Sequence, residues 1–300
     1  MEPEILRILE AAAGRPLSVL GEAGEGQVTY CAKSDPSLVR HLKDCLVIGP
    51  VDFEPDNESI DVIQVSNPQL VFYKLSRHYR EDYLDNKNLR YSEACKSWIH
   101  RDAEIGTGVD IAPGCVIAKS CIGDNTMLMP GVTIYAKTVI GSGVTIEANT
   151  VIGGTGVMWV WDGRERAYLE QLGNVVIEND VKVGALCKLV RGSANESTVL
   201  EHDSCMSHGC LIGHGCRIGH HGHFANGISL GGGCTTGPYN FLGSGVVLSA
   251  GVNISTDDVV LGSGAIVVSH IDKNGIYVGN PARWIKETTS DMSGLPAWTL

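Results

Sequence analysis

Six of the ten histidines lie between positions 202 and 223, and four of them, His202, His208, His214 and His220, recur at a six-residue step. Imidazole titrates near neutrality, so a histidine beside a reacting group can take the proton of an amine. Three histidines that converge can instead hold zinc. A little further on stands Gly231-Gly232-Gly233, where a missing side chain lets another molecule approach the backbone and meet a bare amide. An imidazole for the proton and an amide for a developing oxyanion are the two requirements of acyl transfer.

These residues sit on a longer pattern that must position them. Aliphatic residues stand at 99, 105, 111 and 117, then after one five-residue step at 122, 128, 134, 140, 146 and 152. The beat returns at Ile177, Val183 and Leu189, and again at Leu200, Met206, Ile212, Ile218, Phe224 and Leu230. Thr236 interrupts it before Leu242, Leu248, Ile254, Val260 and Ile266. Neither a helical period nor simple strand alternation gives such a repeat; stacked hexapeptides of a parallel β-helix do. Three hexads close one triangular coil, with Gly, Asn and Asp at its corners. The beat residue and a small residue four later point inward, and successive coils lie about 4.8 Å apart. Positions 214 and 232 are therefore one coil apart on the same corner.

Composition narrows the function classes. A net charge of −11 and a pI near 5.3 argue against nucleic acid as the principal partner. Met1 to Leu20 holds no apolar signal segment, and no run reaches the length of a membrane span, so a cytoplasmic protein is expected. Of the ten cysteines, Cys115, Cys187, Cys210, Cys216 and Cys234 fall at the inward small position, where a thiol is a compact filler. No C-x-x-C pair occurs, so no structural zinc site is expected.

Residues 1–96 lack the hexad and read as a small α/β domain, with a helix from Pro3, strands at 46–48 and 62–65, and a helix capped by Ser66-Asn67-Pro68. Residues 97–271 form the β-helix, from which the polar, aromatic segment 154–174 must be extruded as a loop, with a shorter excursion over 191–197. Residues 272–300 read as a C-terminal tail.

The stretch His214-x-Cys216-x-Ile218-Gly219-x-x-x-His223, followed by Phe224-Ala225-Asn226-Gly227, resembles the hexapeptide N-acetyltransferases that modify sialic acid and bacillosamine precursors. Nearly the whole chain also resembles the UDP-3-O-acylglucosamine N-acyltransferases of lipid A synthesis. That likeness runs through Ser66-Asn67-Pro68, Val151-Ile152-Gly153, Val175-Val176-Ile177-Glu178-Asn179-Asp180, Arg191-Gly192 and Ile212-Gly213-His214. Both resemblances imply a left-handed β-helix, a homotrimer with active sites between neighbouring prisms, and a nucleotide-linked amino sugar as acceptor. They place the general base on His214 and the oxyanion amide on Gly232, with Gly231 and Gly233 beside the donor's pantetheine arm. His223 would sit near the acyl group; His208 lies at a neighbouring corner and has no assigned role beyond proximity.

The resemblance further implies that Asn67, Phe72 and Tyr73 hold the uracil ring, and that Gly279-Asn280-Pro281-Ala282-Arg283 with Lys286 forms a coenzyme A signature whose cations meet phosphate. The two families differ in donor. The lipid A enzymes use an acyl carrier protein and carry a longer helical C-terminus and a further histidine, where this chain has Gly251. Those departures favour acetyl-CoA and a short acyl group, with an acyl-carrier-protein-dependent lipid A enzyme as the alternative. Two other classes compete. Ser207-His208-Gly209-Cys210-Leu211-Ile212-Gly213 resembles the γ-type carbonic anhydrases, but the positions for further zinc ligands hold Asp203 and no histidine near 181, so no metal is expected. A non-catalytic β-helix assembly module would leave the loop, the glycine triplet and the His214–His223 stretch without a purpose.

Overall fold

The computed structural model describes residues 3–12 and 14–288. It divides into two compact units: the first takes Met1–Glu81, Thr155–Gly173 and Gly192–Glu196, the second the rest of the chain.

In the first unit the strands Val28–Tyr30, Leu46–Pro50 and Asp61–Val65 form a three-stranded sheet, paired in parallel in chain order. Helix Pro68–Ser76 starts at Asn67, whose Oδ1 accepts from the Leu70 amide at 3.1 Å, with Pro68 in the first turn. Val71, Phe72 and Leu75 of this helix pack with Ile5 and Ile8 of helix Pro3–Ala12 and with Leu46 and Ile48 of the sheet. The segment extruded from the coils folds as an antiparallel hairpin, Trp159–Asp162 against Glu165–Tyr168. Lys74 pairs with Asp162 at 2.7 Å, and Leu169 joins the same apolar cluster.

The second unit is the hexapeptide solenoid. Its two-residue strands stack into three faces, two of ten strands and one of seven. In chain order the first face includes Leu211–Ile212 and Ser229–Leu230, the second Arg217–Ile218, and the third His223–Phe224. Apart from the first and last strands of the two longer faces, each strand pairs in parallel with its counterpart one coil away, and the aliphatic and aromatic beat residues, from Ile117 through Leu248, are buried in one continuous core. The antiparallel hairpin Leu89–Ser92 with Ser97–His100 begins the first face. Coil spacing also locates the excursions. Ile140 pairs with Ile177, and contacts here join residues 37 apart instead of 18; the surplus equals the length of Thr155–Gly173. Leu189 pairs with Ile212 across the five residues Gly192–Glu196 in the same way.

Small residues carry the interior. Cys115, Cys187, Cys210, Cys216 and Cys234 are fully buried, and all ten cysteines are unbonded. Thr236, the break in the beat, keeps its place because its Oγ1 accepts from the Gly219 amide at 3.3 Å, so the hydroxyl is not left unpaired.

Two features depart from the sequence expectation. After Ile254 the corner holds one extra residue, so the inward positions become Leu261 and Val267 (0% and 2% exposed) instead of Val260 and Ile266. A turn can absorb an added residue, whereas a strand slip would turn the whole face outward. In addition, the segment from Asp272 does not leave the coils at once. Gly275–Val278 adds a parallel rung to the third face, and Arg283–Lys286 folds back antiparallel upon it.

Candidate active site

His214 stands at the corner between the first and second faces, in the turn from Leu211–Ile212 to Arg217–Ile218. Gly215 completes that turn at φ +63°, a conformation natural to glycine. The turn is pinned from within by Thr198, a fully buried residue whose Oγ1 accepts from the Gly215 amide at 2.9 Å and donates to the Val190 carbonyl at 2.6 Å. One rung on, the Gly233 amide donates to the His214 carbonyl at 2.7 Å, and the Gly232 carbonyl accepts from Gly251 at 2.9 Å. The three glycines 231–233 therefore lie on the same corner as the imidazole.

The half-buried ring of His214 is aimed along that corner at Gly232. A Cβ built on Gly232 would overlap Nε2 and lie 2.5 Å from Cδ2 and 2.7 Å from Cε1. A side chain at 232 would therefore displace the imidazole from this corner. Position 213 is restricted by backbone, since a Cβ there would meet the Gly232 nitrogen at 2.6 Å.

The Gly232 amide differs from its counterparts at other corners. The amide of Ser142 is capped by Asn179 Oδ1, that of Thr107 by Asp124 Oδ1 and that of His208 by Asn226 Oδ1, in each case a side chain one coil further on. The residue one coil beyond Gly232 is Ala250, which has no acceptor, and the Gly232 N–H has no partner among the described residues. A base nitrogen and an unspent amide donor thus share one corner, one rung apart. A carbonyl held beside them would find an acceptor for the proton of its attacking nucleophile and a donor for its oxygen.

The other sequence candidates lie elsewhere. His208 occupies the corner between the third and first faces; it is exposed, and its Nδ1 accepts from the Ala185 amide at 2.9 Å. His223 lies on the third face, stacked on Phe241 with ring centroids 5.0 Å apart, and burial pushes its pKa below the ordinary histidine value. Arg283 and Lys286 are exposed on the last strand of that same third face. Within one chain, then, His214 and Gly231–Gly233 come together, and His208, His223, Arg283 and Lys286 do not join them.

In the first unit Asn67 is committed to its helix cap and Phe72 is 1% exposed, packed against Tyr30 at 4.9 Å between centroids. Tyr73 is 4% exposed, and burial raises its pKa. This unit carries a groove of about 700 Å³ lined by Arg7, Phe53, Glu54, Pro55, Ile63 and Gln64 among others. Thr198 and this groove went unnoticed in the sequence. The sign for Thr198 was a hydroxyl at an inward small-residue position one coil before Cys216.

The fold and the stacked corner define a left-handed parallel β-helix of hexapeptide repeats. Residues 122–154 match the family model described as bacterial transferase hexapeptide (six repeats). The chain is similar to a UDP-3-O-acylglucosamine N-acyltransferase of Pseudomonas syringae pv. tomato, 27% identical over 206 residues, which covers 61% of this chain and 56% of that relative. It thus spans somewhat more than half the length of that curated protein. Its fold is similar to UDP-N-acetylglucosamine acyltransferases from Bacteroides fragilis (TM-score 0.57, 22% identity, 63% of this chain and 72% of the other) and Campylobacter jejuni (TM-score 0.57, 20% identity, 63% and 72%). No helix among the described residues is long and apolar enough to cross a membrane.

Proposed function

We propose that this protein is an N-acyltransferase that moves an acyl group, acetyl from acetyl-CoA, onto the amino group of a nucleotide-linked amino sugar. The observation that carries the reading is the unspent Gly232 amide against the His214 imidazole on one corner of the solenoid. In the reaction the sugar nitrogen attacks the thioester carbon as His214 Nε2 takes its proton. The oxygen of the tetrahedral intermediate accepts from the Gly232 N–H. The C–S bond then breaks, and the thiolate leaves with the proton returned by the imidazolium. The name of the Pseudomonas relative supports an amino-sugar acceptor carried on UDP.

His223, Arg283 and Lys286 lie off the His214 corner, and a homotrimer would bring them to the corner of a neighbouring copy, with the two cations on the coenzyme's phosphates. The test is a screen of UDP-, dTDP- and GDP-linked amino sugars with acetyl-CoA, read as thiol release and as mass gain of the sugar. Release that depends on one amino-sugar nucleotide supports the reading. Transfer only from longer acyl carrier protein thioesters would replace the donor, and no transfer from either donor to any acceptor would overturn it.

A further inference from the structure

A second group of histidines occupies the corner between the second and third faces, away from His214. His202 and His220 lie one coil apart and stack, with ring centroids 4.8 Å apart and planes 13° from parallel. His221 stands edge-on to both, at 5.3 Å from His202 and 5.0 Å from His220. One ring nitrogen from each of the three lies within 4.8 Å of the others. The three imidazoles lie outside the apolar core, with His221 stacked on Tyr239 at 4.8 Å between centroids, and protonated they would repel one another.

Two details point to a ligand. Asp203, at the same corner position one coil earlier, sets Oδ2 2.7 Å from His221 Nδ1. That carboxylate accepts the Nδ1 proton and leaves the Nε2 lone pair outward, the arrangement that supports a metal-bound histidine from behind. His220 Nδ1 is buried with no hydrogen-bond partner, an uncompensated loss of hydration in the empty cluster. Nearby, Glu178 Oε2 lies 3.5 Å from His202 Nδ1, adding negative charge beside the trio.

We infer that His202, His220 and His221 form a binding site for a divalent transition-metal ion of the zinc class, with Asp203 orienting His221. Metal–nitrogen bonds of about 2.0–2.1 Å require the nitrogens to approach to about 4 Å or less, a small rotation from their present spacing. Three imidazoles would leave a fourth position to water. The ion would tie adjacent coils together, since His202 belongs to one rung and His220 and His221 to the next. This site is independent of the acyl-transfer reading and stands or falls without it.

The test is calorimetric titration of tag-free, chelator-treated full-length protein with Zn²⁺, with Co²⁺ absorption as a report on ligand geometry. Expected are one ion per chain, cobalt bands of tetrahedral intensity, and an affinity reduced about 10–100-fold by Asp203→Asn. His221→Asn, which keeps a side chain suited to the left-handed corner, should reduce affinity further, and His208→Ala should leave it unchanged. Melting curves show that each variant is folded. Binding indifferent to both His221→Asn and Asp203→Asn, binding lost equally in His208→Ala, or no binding at all would overturn the site.

Discussion

Replacing Gly232 with alanine is the sharpest perturbation the geometry offers, because one methyl group strikes both halves of the proposed catalytic pair. The added Cβ would overlap His214 Nε2 and press on Cδ2 and Cε1 at 2.5 and 2.7 Å, so the imidazole must swing away. The backbone has little freedom to yield, since the rung is held by the 2.7 Å bond from Gly233 to the His214 carbonyl and the 2.9 Å bond from Gly251 to the Gly232 carbonyl. The same methyl also fills the approach to the Gly232 N–H. Loss of a single oxyanion donor costs about 10²–10³ in kcat, or ~3–4 kcal/mol of transition-state stabilisation, and displacement of the base adds to it. The assay is thiol release under saturating acyl donor and acceptor, with kcat and KM separated and the melting transition recorded alongside. The fall should appear in kcat, because the lost interactions belong to the transition state. A folded Gly232→Ala protein with kcat within about threefold of the parent would refute the pairing of this amide with this base.

Four further outcomes are expected, three of them at the His214 corner and one on the third face. His214→Ala should lower turnover by about a hundredfold or more while leaving the melting temperature nearly unchanged, since the ring lies outside the apolar stack. Combined with Gly232→Ala it should cost little more than the worse single variant, as measured by a double-mutant cycle in kcat/KM. Thr198→Val removes the acceptor of the Gly215 amide and should destabilise the protein by about 1–3 kcal/mol in denaturant titration, with some loss of activity as the His214 turn loosens. His223 has a folded-state pKa held below its unfolded value by burial, so the unfolded chain binds the extra proton first. Stability should therefore fall as pH drops from about 6.5 toward the depressed value, and His223→Phe should flatten that part of the curve. An unchanged pH slope in the variant would remove His223 from the account.

The hexad made much of this molecule legible, because a repeat with one inward position every six residues fixes face, corner and coil at once. Counting one coil from His214 leads to Gly232, and the contact between them follows without further information. The inward cysteines were legible for the same reason, as compact apolar fillers. What escaped the count depended on features that a period does not encode. One added corner residue after Ile254 moved the inward positions to Leu261 and Val267, a shift that adjacent aliphatic pairs such as Val260-Leu261 conceal. Phe72 and Tyr73 sit on a short helix whose buried side is chosen by the sheet it covers, so their interior location is a tertiary outcome. The convergence of His202, His220 and His221 needed the left-handed turn at 221, which brings a neighbouring corner position into register with the stacked pair.

The most direct measurement is a structure of the protein with the N-acylated sugar nucleotide it produces, the product of the screen described above. The account places the new amide's carbonyl oxygen about 2.7–3.1 Å from the Gly232 nitrogen, with its nitrogen facing His214 Nε2. A product bound with its acyl group at another corner, or with the Gly232 amide left facing solvent, would contradict it.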